Sequence, residues 1–470
     1  MPADAAFRQL RAAVAAEPLV PPVPKPVQRQ MPLWSLLRQL RVNALPTWAE
    51  EAYDAPIVAR PFLGRTSFLL NDPAAIRRVL VENPDGYSRT PAARRILHPM
   101  IGDGLFLAEG ADWRRQRRLT APAMAPRALD LVAAIAGEQT GQALAALRPR
   151  PRNAVDLLAF IQRLTLEIAG RALFSQAMTA HGTAVRDAIN GYGRFWARPM
   201  ALDFFLPPAW PAPQDWFRDR FARRWRRLLD RIIAERAAVP PTDPPADLFD
   251  VLRTAGGDGD APFTTTQLRD QVATLLIAGH ETTALALFWS CHLLAQAPAV
   301  QELVAAEART LDGQRPSAAA VLADRPLALA VVKEALRLYP PAFTVVRLAV
   351  REDEILGRKV PEGSLCVMAP WVLHRHRRLW TEPARFDPGR FLPDAPPPDR
   401  YAWLPFGIGP RVCVGAQFAL VEACLVLSRL VGAYRLEPVD RRPLLPVGVV
   451  TVVPERSPPF RLVERAGAAR

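Results

Sequence analysis

The longest apolar stretch of the chain runs from Leu268 to Ala297. At 1.5 Å per residue it predicts a helix about 45 Å long, enough to cross a bilayer. Arg269, Asp270, His280, Glu281 and His292 interrupt it with groups that are costly in lipid. The pattern therefore predicts a helix buried through the centre of a large soluble domain, with no transmembrane anchor. The polar cluster in its middle then demands a reason. Apolar residues recur at three-to-four spacing over Ala154–Phe174, Trp216–Ala238, Ala299–Leu311, Leu327–Tyr339 and Gly415–Tyr434, predicting further helices. Short β signals lie at Ile57–Leu70, Thr344–Val360 and Val447–Val453. Pro240–Pro245 and Gly256–Gly259 read as loops between helices, and no linker or repeat divides the chain. The expected class is mainly α with a minor β region (α+β). One large domain spans 41–470, behind a proline-rich lead-in over 1–40 whose strip Pro18–Pro32 reads as extended.

Composition narrows the function. The 470 residues are half hydrophobic and 23% charged, which excludes wholesale disorder. The net charge of +14 is spread thinly along the chain, and no aromatic–basic module accompanies it, so a nucleic-acid binder is disfavoured. All but three of the 60 Lys+Arg residues are arginine; with abundant Ala and Pro, this reads as the codon bias of a GC-rich bacterial genome. Four cysteines (Cys291, Cys366, Cys413, Cys424) form no disulfide framework, which suggests a reducing, cytoplasmic setting. The first 17 residues contain no signal-like apolar run.

The most informative run is Phe406-Gly-Ile-Gly-Pro-Arg-Val-Cys413-Val-Gly415. Three glycines and a proline force a turn, and a helix opens just after it. A cysteine at a helix N-terminus beside an arginine sits where a thiolate is favoured, and glycines let backbone N–H groups approach its sulfur. Phe406, Gly409, Arg411, Cys413 and Gly415 match the F-x-x-G-x-R-x-C-x-G signature, so the chain resembles the cytochrome P450 superfamily of haem-thiolate monooxygenases. The resemblance implies haem b buried between the long central helix and the cysteine-loop helix. Cys413 would be the axial thiolate, favouring O–O cleavage, and Arg411 would meet a haem propionate.

Three more constellations carry the same resemblance. Glu334-Ala-Leu-Arg337 places acid and base at i and i+3; with Arg390 of Phe386-Asp-Pro388-Gly-Arg390-Phe391 it resembles the family's structural brace for the cysteine loop. Ala278-Gly279-His280-Glu281-Thr282-Thr283 is similar to the oxygen-activation motif. There the small residues leave room over iron, the Thr282 hydroxyl can bond a carbonyl one turn back, and Glu281 can relay protons. His280 points away from these and reads as a packed side chain. Trp113 and Arg117, at i and i+4, resemble a pair that bonds a haem propionate, and Arg347 matches a further propionate contact.

The implied reaction is R–H + O₂ + 2 electrons + 2 protons → R–OH + H₂O, and having both Glu281 and Thr282 favours O₂ over peroxide as oxidant. The substrate is expected to be an apolar small molecule, with hydroxylation the default. Its pocket would be lined by Leu275, Ala278, Phe343, Val345 and Val346 beneath a proline-laced lid over Tyr192–Trp216. No segment reads as a flavin or iron–sulfur domain, so electrons are expected from a separate acidic ferredoxin or flavodoxin with its reductase. That partner would be steered to Arg114, Arg115 and Arg118 beside the cysteine face. A second cluster, Arg223, Arg224, Arg226 and Arg227, reads as solvated surface. A monomer is expected. The alternative is a haem-binding sensor or electron-transfer protein, which would have no use for the Gly-His-Glu-Thr cluster.

Overall fold

The computed structural model describes residues 3–147, 154–175, 180–206, 210–242, 245–256, 261–309 and 317–465. The predicted loops at Pro240–Pro245 and Gly256–Gly259 lie partly outside them. The central helix spans Thr265–Gln296 and opens on a capping box, with Thr264 and Gln267 bonding each other's backbone N–H groups. It stops just before Pro298, which begins the next helix. Leu276, Leu285, Leu287 and Phe288 are fully buried, and the helix packs against Leu157–Phe174 and Ala416–Ala433. The central helix and Ala416–Ala433 are long and apolar enough to cross a membrane. Both instead bury most of that surface in the protein's own core.

A five-stranded sheet covers one side, in the order Ile57–Phe62, Arg65–Leu70, Leu365–Met368, Val345–Ala349, Tyr87–Ser88. Its register matters for the site. Arg347 sits opposite Cys366, and Ser88 opposite Leu348, so Arg89 emerges beside Arg347. A short hairpin, Pro446–Gly448 with Val452–Pro454, reaches the central helix, where Trp289 Nε1 donates to the Val452 carbonyl at 3.0 Å.

The first 40 residues are more than the predicted lead-in. Ala3–Ala16 is a helix whose Phe7, Leu10 and Val14 enter the main core. Its i, i+3, i+7 spacing is the helical period, carried by too few large residues to stand out. Arg11 pairs with Asp394 at 2.6 Å, and the Arg385 guanidinium donates to the Val14 carbonyl at 2.7 Å. The segment from Pro18 to Pro26 forms neither helix nor strand.

Candidate active site

Glycine makes the cysteine loop possible. Gly407 and Gly409 hold φ of 68° and 79°, and a Cβ on Gly409 would lie 2.1 Å from the Leu80 carbonyl oxygen. The loop closes where the Cys413 N–H donates to the Phe406 carbonyl at 2.9 Å and that of Val412 to Gly409 at 3.0 Å. The helix Ala416–Ala433 follows at once. Cys413 is exposed yet surrounded by protein atoms, so burial pushes its thiol up while the Gly415 N–H and Arg117 draw it back. Gly415 acts through that N–H; a Cβ there would meet nothing. Arg117 donates to the Val412 carbonyl at 3.0 Å, which ties it to the cysteine loop. Phe406 is half-buried and meets Trp403 edge-on.

Beneath the loop lies the predicted brace, on the helix Pro326–Leu338. Arg337 grips Glu334 through Nε (2.7 Å) and Nη2 (2.8 Å), with both side chains fully buried. Its remaining donors reach the carbonyls of His374, Pro383 and Arg385. Glu334 also accepts from the Asp387 N–H at 2.8 Å. Arg390 joins by charge alone: its Nε is 3.7 Å from Glu334, while its Nη2 donates to the Glu382 carbonyl. His374, unforeseen from the sequence, completes the brace. Its Nε2 accepts from the Leu404 N–H at 2.8 Å, two residues before Phe406, and its Nδ1 lies 3.2 Å from the Arg337 carbonyl. That pattern assigns the neutral ring with its proton on Nδ1, and burial with Arg337 pushes its pKa down to about 3.

On the central helix, Leu275, Ala278, Gly279 and Thr282 are left incompletely covered. Their spacing of i, i+3, i+4 and i+7 puts these four on one stripe of the helix; Ile277 and Glu281 beside it are also incompletely covered. Thr282 Oγ1 donates to the Ala278 carbonyl at 2.5 Å, the back-bond its position predicts. Glu281 leans off the stripe and accepts from the Thr451 hydroxyl at 3.0 Å; burial pushes its carboxyl up, and that hydroxyl draws it down. His280 is buried with Nε2 3.0 Å from the Gln162 carbonyl, a packed side chain as expected. Val345 and Val346 are half-covered, whereas Phe343 is buried with its ring edge-on to Trp48. In the predicted lid, Trp196 stacks on Phe217 and Phe204 meets Phe62 edge-on; residues 207–209 lie outside the described residues.

Three guanidiniums converge beside the loop. Arg411 donates to the Ala108 carbonyl at 2.9 Å, pairs with Glu109 and lies over the Trp113 ring. Arg347 follows from the sheet register, and Arg89 lies over Phe106. Burial pushes all three below the ordinary arginine value; Arg347 and Arg411 add to the push on Arg89, and Arg411 to that on Arg347. Glu109 is the one carboxylate that pulls back on all three. Arg89 Nε is buried without a hydrogen-bond partner. No motif in the sequence marked Arg89.

The helix Gly110–Thr120 carries the predicted docking arginines. Arg114 is exposed and pairs with Asp85 at 2.8 Å, and Arg118 is exposed. Arg115 donates to the carbonyls of Ala261 and Pro262 at 2.7 and 3.0 Å.

The cytochrome P450 family model matches residues 21–458. The chain belongs to the cytochrome P450 family. It is 33% identical over 406 residues to cyclooctatin synthase of Streptomyces melanosporofaciens, covering 83% of this chain and 86% of that protein. It is 31% identical over 384 residues to cyclooctat-9-en-7-ol 5-monooxygenase of the same organism, covering 79% and 81%. It is 29% identical over 377 residues to pentalenene oxygenase of Streptomyces avermitilis, covering 78% and 81%. The crystal structure of the cytochrome P450DA heme domain superposes with a TM-score of 0.79 at 23% identity, covering 94% and 98%; this likeness concerns the fold.

The cofactor of a cytochrome P450 is haem b, held through a cysteine thiolate, and here that cysteine is Cys413. The residues fit such a group. Three converging guanidiniums with Glu109 acting on all of them and Asp85 on Arg411 besides, and an Arg89 Nε that has no hydrogen bond and only a 3.9 Å ion pair to Glu109, make a surrounding that two carboxylates of a ligand would complete. The fit also adds Arg89 to the residues expected from the motif.

Proposed function

We propose that this cytochrome P450 monooxygenase hydroxylates an apolar, carbocyclic terpene-type substrate, taking electrons from a separate acidic ferredoxin or flavodoxin in the cytoplasm. The observation that carries the reading is the uncovered stripe Leu275, Ala278, Gly279 and Thr282, which offers apolar surface and a single hydroxyl. The printed names of the Streptomyces relatives support a cyclic, largely hydrocarbon substrate. Bound haem b supplies dioxygen activation at a thiolate-ligated iron.

The chain's own residues do the rest. Leu275, Val345 and Val346 hold the substrate by apolar burial, which also excludes water. Arg89, Arg347, Arg411, Trp113 and Arg117 would hold the propionate edge of the haem. Thr282 keeps its proton on the Ala278 carbonyl, leaving its lone pairs free to accept a hydrogen bond at the stripe. Glu281, whose carboxyl burial favours in the protonated form, stores the proton that the reaction consumes. Arg114, Arg115 and Arg118 steer the acidic partner; Arg115 keeps its charge while its donors are held by the Ala261 and Pro262 carbonyls.

The test combines two measurements. The reduced protein with CO should give the red-shifted Soret band of thiolate ligation, lost in Cys413→His. Cyclic terpenes should produce the low-to-high-spin shift, with Thr282→Ala consuming NAD(P)H without matching product. An ordinary haem-protein CO band, or full coupling in Thr282→Ala, overturns the reading.

A further inference from the structure

The hairpin Pro446–Gly448/Val452–Pro454 touches the central helix at two places on one face. Its turn residue Thr451 donates to Glu281 Oε1 at 3.0 Å, and its next residue, Val452, accepts from Trp289 Nε1 at 3.0 Å. Positions 281 and 289 are eight apart, close to two helical turns, and so share a face. Trp289 is itself locked, stacked on Tyr339 at 3.9 Å, and the Val452 N–H donates to the Pro341 carbonyl at 3.2 Å. At the other strand, a Cβ on Gly448 would lie 2.6 Å from Leu45 and 3.4 Å from Phe343. The hairpin is thus pinned on both sides, which leaves the Thr451 hydroxyl little freedom in where it points.

Among the described residues no other side chain bonds the Glu281 carboxyl. Burial pushes its titration up, and among the described residues the Thr451 hydroxyl is the side chain that draws it down. Its neighbour His280 turns away to Gln162. A carboxyl on a helix can adopt several rotamers, and a single charge-assisted hydrogen bond is enough to select among them.

We propose that Thr451 is a positioning residue that fixes the rotamer of Glu281, so that the hairpin sets where the proton store next to Thr282 faces. The inference rests on the proposed role of Glu281 as that store. A hydroxyl that aims a carboxylate stabilises its charged form, and removing it leaves burial unopposed. A hydroxyl that merely fills space would leave the carboxyl indifferent to its loss.

The experiment compares Thr451→Val, which keeps the shape and removes the donor, with Thr451→Ser, which keeps the donor and removes a methyl, and with Glu281→Gln. The Glu281 carboxyl stretch is identified in infrared difference spectra as the band that Glu281→Gln deletes, and is followed as a function of pH. Thr451→Val should raise the midpoint of that band by about one pH unit, and Thr451→Ser should restore it. Product formed per NAD(P)H should fall in Thr451→Val toward the Glu281→Gln level and recover in Thr451→Ser. An unmoved midpoint in Thr451→Val overturns the inference, as does a Thr451→Ser variant that behaves like Thr451→Val. If Glu281→Gln itself stays fully coupled, the store reading of Glu281 fails instead, while the infrared midpoint still decides whether Thr451 aims the carboxyl.

Discussion

Arg337 holds Glu334 in a two-pronged ion pair from which both side chains exclude all solvent, and it spends every remaining donor on loop carbonyls. Such a pair is worth little as a net source of stability, but removing one partner strands a buried charge at a cost of about 3–5 kcal/mol. Glu334→Gln and Arg337→Lys should each lower the melting temperature and release haem. Arg337→Lys fails because an ammonium cannot copy the fork. Thermal melts with haem absorbance recorded alongside check both, and a stable, haem-loaded Arg337→Lys would contradict the account.

Gly409→Ala should damage the cysteine loop without touching the cysteine. The new Cβ meets the Leu80 carbonyl at 2.1 Å, and the backbone holds φ +79°, a conformation costing a side chain about 1–2 kcal/mol before the clash is counted. The expected result is a CO spectrum shifted partly to the inactive, non-thiolate band. Gly415→Ala has open space around it and should keep most of the thiolate band; equal damage in the two variants would refute the distinction.

Arg89→Leu should separate cofactor retention from folding. It removes a buried cation with an orphaned Nε, so the haem-free protein should be no less stable than wild type. Haem should nevertheless leave faster, about tenfold for one lost charge-assisted contact. Haem transfer to an apomyoglobin acceptor measures the rate, and urea melts of the haem-free forms measure the stability. Unchanged transfer would remove Arg89 from the propionate site.

Glu307 makes stability fall as pH rises. Its carboxyl accepts the Leu327 and Ala328 N–H groups at the start of the brace helix, yet burial outweighs them and raises it from 4.5 to about 7. The folded state therefore binds this proton more tightly than the unfolded state does. Its contribution is full below about pH 4.5 and is lost as pH rises through about 7. Urea melts between pH 5 and 8 should show that decline, flattened in Glu307→Gln.

Much of the site was legible because its residues are local in sequence. The cysteine loop needs glycines at positive φ within a few residues, and the brace pair and the stripe obey helical spacing, so Glu334–Arg337 and Ala278–Thr282 could be read before any fold was known. Arg89, His374 and Thr451 could not. Each acts on a partner distant along the chain: Arg89 on Arg347 through sheet register, His374 on Leu404, and Thr451 on Glu281. The first helix escaped for a related reason, since its three core residues become visible only against the surface they fill.

The sequence by itself determined the class of cofactor, the ligand and the helical architecture, because spacing along one element fixes which side chains share a face. The tertiary structure alone decided which arginines converge, that Arg115 bonds the Ala261 and Pro262 carbonyls, and which hydroxyl bonds the Glu281 carboxyl. Those outcomes depend on register and packing between distant segments, which no local pattern encodes.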